Sequence, residues 1–85
     1  MKGDDFMATI NILRWKEFQK RQPIVADFIR SVARKEREYM KNPSVNSSPT
    51  MKEYNKFCKI LKEKGMSVSP VHYSTYIANL EVLAG

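Results

Sequence analysis

Four prolines divide this chain, and each stands where a helix must begin or cannot continue. Pro23 suits the first turn of a helix, because its missing N–H costs nothing there, and it disfavours helix at Gln22 just before it. Pro43 and Pro49 lie in Asn42-Pro43-Ser44-Val45-Asn46-Ser47-Ser48-Pro49, a composition that reads as a connector over residues 42–49. Pro70 follows Ser69, the cap-and-first-residue pairing that opens a helix. The pieces between these breaks have helix length. The expected fold is therefore mainly α, a small helical bundle forming a single domain over residues 1–85, with residues 1–5 as a mobile end.

Two of the pieces carry one pattern. At about 100° per residue, Ile24, Val25, Phe28, Ile29, Val32, Tyr39 and Met40 share one side of a helix over 24–41, and Arg30, Arg34, Arg37 and Lys41 share the other at i, i+4, i+7, i+11. Over 51–64, Met51, Tyr54, Phe57, Cys58 and Leu61 gather on one arc, while Lys52, Lys56 and Lys59 repeat the first three cationic steps. Thr50 and Glu53 form the T-x-x-E capping box that starts this second helix, and Gly65 is placed to end it as a left-handed residue. Ser69 and Pro70 open a last helix over 70–83, although Val71, Tyr73, Tyr76 and Ile77 leave a terminal strand as the alternative. Residues 6–22 read two ways: a helix with Thr9 as N-cap, or a short N-terminal strand over 6–12 where Phe6, Ala8, Ile10 and Ile12 alternate. Phe28, Val32, Phe57, Leu61, Ile77 and Leu80 are the expected core.

The 15 Lys and Arg against 9 Asp and Glu leave a net charge of +6, which points to nucleic acid, an anionic surface or an acidic protein as partner. No window approaches the ~18 apolar residues of a membrane span, so no membrane partner is expected. With a single cysteine and a single histidine the chain can assemble neither a disulfide framework, nor a zinc site, nor a Cys/His nucleophile pair. Gly3, Gly65 and Gly85 are isolated, which excludes a phosphate-binding glycine loop. No enzymatic activity and no cofactor are expected. Cys58 reads as core, Trp15 as core between Ile12 and Phe18, and His72 as a surface residue. A reducing compartment, cytoplasmic or else nuclear in a eukaryotic or viral setting, is the simpler location.

Residues 60–80 outline a helix, a turn of about four residues from Gly65, and a Ser-Pro-capped helix. The run Ile60-Leu61-Lys62-Glu63-Lys64-Gly65-Met66-Ser67-Val68-Ser69, continuing through Ile77 to Leu80, resembles the helix-turn-helix of winged-helix regulators of the arginine-repressor type. The resemblance covers about a quarter of the chain. It implies a helix-turn-helix-like C-terminal half whose Ser69, Val71, His72, Thr75, Tyr76 and Asn79 face a DNA groove, with Asn79 able to pair with adenine. The chain departs from that family in carrying Thr75 where an Arg is usual, and in having no Lys or Arg after Lys64. Phosphate contacts would then fall to Arg30, Arg34, Arg37 and Lys41, or to Lys52, Lys56 and Lys59. The reading is regulatory DNA binding. Its alternative is a small phage-type inhibitor or adaptor whose basic faces dock on an acidic protein. The sequence leaves the oligomeric state open.

Overall fold

Asn11, two residues past Thr9, sets the start of the first helix. The computed structural model describes residues 10–67 and 72–85, and in it the Asn11 Oδ1 accepts the Arg14 backbone N–H at 3.0 Å. Asn ranks at least level with Thr as a cap, and here it takes the role expected of Thr9. Helix α1 spans Ile12–Arg21. Gln22 leaves helical geometry, and α2 runs Pro23–Lys41 with proline in its first turn. Helix α3 is Met51–Glu63, opened by the expected reciprocal box: Thr50 accepts from Glu53 N–H at 3.1 Å and Glu53 accepts from Thr50 N–H at 3.0 Å. Helix α4 is Tyr73–Ala84. Among the described residues there are four helices and no strand. The expected mobile end 1–5, the strand positions 6–9, Ser69, Pro70 and Val71 lie outside the described residues.

Helix α3 closes as a Schellman motif. Gly65, at φ +70°, is the left-handed residue; Met66 N–H donates to Leu61 C=O at 2.7 Å and Gly65 N–H to Lys62 C=O at 3.2 Å. Met66 and Leu61 are both buried, which supplies the apolar contact that accompanies this turn. Helix α4 begins at Tyr73 because His72 is extended, at φ −125° and ψ 138°; the four residues before His72, on which the end of the expected turn and its Ser-Pro cap fall, lie outside the described residues.

Helix α4 packs mainly along α2. The inward face of α2 centres on Ala26, Ile29, Val32 and Ala33, while Ile24 is exposed and Phe28 only partly buried. Two alanines on that face let α4 approach closely, and the large side chains at 24, 25 and 28 drew the expected face away from it. The core is completed by Trp15 and Phe18 from α1, Phe57 and Leu61 from α3, and Tyr76, Leu80 and Leu83 from α4. Of the six expected core residues, Val32, Phe57, Leu61 and Leu80 are buried, and Phe28 and Ile77 pack against the core from its edge.

Candidate nucleic-acid interface

The rotation of α2 decides what its basic stripe can do. At 100° per residue, Arg30, Arg34, Arg37 and Lys41 lie roughly 80–140° round from Ile29, on the flank of the buried face rather than opposite it. That flank meets the C-terminal end of α4. Arg30 Nε donates to Gly85 C=O at 3.3 Å and Arg34 Nε to Ala84 C=O at 3.1 Å, while Lys41 Nζ pairs with Glu81 at 3.1 Å. The last carbonyls of a helix have no partner within it and carry the negative end of its dipole, so cations there stabilise it. Arg30 is also bound to Asp27, and Arg37 Nε donates to Glu38 at 3.1 Å. Three of the four cations of this stripe, Arg30, Arg34 and Lys41, are thus bound to the end of α4, and Arg37 is bound to an acid of its own helix.

The expected base-reading set is also dispersed. Asn79 is 1% exposed, and its Oδ1 accepts the backbone N–H of Ile10 at 3.1 Å, tying the entry to α1 onto α4. Tyr76 is 2% exposed. Its hydroxyl donates to Glu36 Oε2 at 2.6 Å, and since that spends its only proton, the Tyr54 hydroxyl 2.6 Å away donates to Tyr76. Burial pushes the Tyr54 hydroxyl up to about 12, and burial followed by the Glu36 and Tyr54 contacts pushes Tyr76 higher still. Neither Asn79 nor Tyr76 can reach a base edge. They lie on the same stripe as Leu80 and Leu83, and an Asn is accepted there because a buried N–H needs its oxygen. His72 is exposed at the N-cap of α4, Thr75 is half-buried, and Ser69 lies outside the described residues.

Among the described residues, the exposed cations engaged with neither α4 nor an acid belong to α3, its C-terminal turn and α1. Lys52, Lys56 and Lys59 stand on the outer side of α3, and no ion pair involves them among the described residues. Lys56 Nζ sits 4.9 Å from the centre of the Phe28 ring, a cation–π contact that orients the ammonium without neutralising it. At the N-terminal end of the ridge, Glu53 is turned away, bound to the Thr50 N–H and to Lys35 at 3.3 Å; both contacts, the backbone one first, hold its carboxyl below the usual range.

A second basic group, which periodicity did not single out, forms around a cleft between α1 and the end of α3. Arg14, Lys16, Lys20, Arg21, Lys62 and Lys64 line it, and among the described residues its acids are Glu17, paired with Arg21 at 3.9 Å, and Glu63. Arg14 marks the junction: its Nη1 is 3.5 Å from Lys64 C=O and stands over Gly65. The clue available in the sequence was compositional, four cations against one acid between residues 12 and 21.

Cys58 is half-buried, and burial raises its thiol, the opposite of what a nucleophile needs. Among the described residues no three His, Cys, Asp or Glu side chains are grouped to hold a metal ion, and no helix is long and apolar enough to cross a membrane. Compared with known proteins, the chain matches no family model, no curated protein and no solved structure.

Proposed function

We propose that this protein is a small DNA-binding module that grips the phosphate backbone of duplex DNA through the lysine ridge of α3 and reads no bases with α4. The observation that supports the reading is the division of the cations: those of α2 are engaged with α4 and with neighbouring acids, whereas Lys52, Lys56 and Lys59 stay exposed with no acidic partner among the described residues. Lysine suits this task. Its compact, hydrated charge gives non-directional attraction to a polyanion, and lysine is depleted where proteins bind each other through apolar patches. The exposed side of α4 offers Ser74, Ala78 and Glu81, which present no cation to a groove. Sequence-specific recognition by that helix is accordingly no part of the proposal.

Fluorescence anisotropy of labelled duplexes of several unrelated sequences, titrated at a series of salt concentrations, tests it. Each phosphate contact contributes about 0.9 to the slope of log K against log salt, so three lysines predict a slope near −3 that is alike for all sequences. Absence of binding at low salt overturns the proposal. Preference for one duplex by about tenfold or more, the scale of one good base contact, overturns the claim that α4 reads nothing.

A further inference from the structure

The cleft between α1 and the C-terminal turn of α3 differs in character from the lysine ridge. It is an open groove of about 1030 Å³, and its lining combines the six cations with Leu13, Phe18 and Met66. Leu13 is 77% exposed, a large aliphatic side chain standing in water beside Arg14 and Lys16. Phosphate binding has no use for it. The aromatic rings near the cleft, Phe18 and Trp15, are buried, so no ring is presented for a base to stack on, which a single strand would require. Two turns of α-helix, a cylinder about 11 Å long and 10–12 Å across, occupy on the order of 1000 Å³, a volume comparable to that of the cleft.

We infer that this cleft docks an acidic amphipathic helix of a partner protein, its apolar stripe against Leu13 and its carboxylates on Lys16, Lys20, Lys62 and the two arginines. Charge complementarity selects the acids: among the described residues six cations line the cleft against two carboxylates, one of which, Glu17, pairs with Arg21 at the rim and leaves the excess positive. The guanidinium groups of Arg14 and Arg21, at the two ends of α1, match carboxylates bidentately, and an apolar anchor ringed by charge is the usual arrangement for a helix in a groove. The site stands apart from the proposed DNA contact, because Lys52, Lys56 and Lys59 do not line the cleft.

The test uses a labelled synthetic peptide with leucines at helical spacing and glutamates elsewhere, a scrambled peptide of the same composition, and a single-stranded oligonucleotide. Anisotropy gives the affinities and amide chemical-shift changes give the site. The expected result is binding of the patterned peptide with shifts along α1 and at residues 62–66, weakened tenfold or more by Leu13→Ser and by the Lys20→Glu/Lys62→Glu pair, and unchanged by replacing Lys52, Lys56 and Lys59 with glutamine. These positions are exposed, so thermal melts of the variants should match the parent. Equal binding of the scrambled peptide, or indifference to Leu13→Ser, overturns the inference by reducing the cleft to unspecific charge. Tighter binding of the oligonucleotide at the same residues overturns it in favour of nucleic acid. Duplex binding measured on the lysine variants reports on the DNA proposal separately.

Discussion

Replacing Asn79 by alanine separates a structural residue from a base-reading one. The Asn79 Oδ1 is the acceptor for the buried Ile10 N–H at 3.1 Å, and with the side chain cut back that donor is left without its partner inside the fold. An orphaned buried donor costs about 1–3 kcal/mol. For a chain of this size total stability is roughly 4–13 kcal/mol, so the loss is a large share. At about 4–8 °C per kcal/mol, the midpoint of thermal unfolding should fall by roughly 5–20 °C. Urea unfolding followed by the fluorescence of Trp15, the lone tryptophan and a buried one, supplies the assay. Ser74→Ala, on the exposed side of the same helix, is the control and should stay within about 0.5 kcal/mol. If Asn79→Ala leaves stability unchanged and instead shifts preference among DNA sequences, the burial argument is refuted and Asn79 faces the groove.

Glutamine at Arg30 and Arg34 together removes the donors to the Ala84 and Gly85 carbonyls and should cost about 0.5–2 kcal/mol in the same urea assay, less at high salt. For Tyr54, folding favours the neutral phenol, since burial raises its pKa from about 10 to about 12. That stabilisation is complete below about pH 10 and is lost as pH rises through about 12, so parallel phenolate absorbance and circular dichroism should show ionisation coinciding with unfolding there, and ionisation near 10 with the fold intact would contradict the burial. Gly65→Ala should cost about 1–2 kcal/mol, because φ +70° strains an L-residue and the new Cβ would stand 3.1 Å from Arg14 Nη1.

What the sequence made legible was local. The Thr50–Glu53 box, the left-handed Gly65 and the helix start at Pro23 each depend on residues within a turn of one another, and each is found where the residue types place it. The fates of the polar side chains depend on partners far along the chain. Arg30 meets a carbonyl 55 residues away, Tyr76 a carboxylate 40 away, and Asn79 an amide 69 away. Helical spacing reports which side chains share a face but not what that face meets. On α2 the signal was further displaced, because Ala26 and Ala33 carry little hydrophobic weight in a wheel yet are fully buried. The cleft was hidden for a related reason: its cations come from two elements, and only the fold brings them together.

If the two basic stripes have separate jobs, fold stability for the arginines and phosphate contact for the lysines, one paired measurement separates them. Salt-dependent duplex binding and urea stability are determined for an Arg30→Gln/Arg34→Gln variant and for a variant with Lys52, Lys56 and Lys59 all replaced by glutamine. The arginine variant should lose stability and keep the parent's salt slope, while the lysine variant should keep its stability and lose about 2.7 from the magnitude of that slope. An arginine variant of unchanged stability with a diminished slope, beside a lysine variant that binds as the parent does, would contradict that separation.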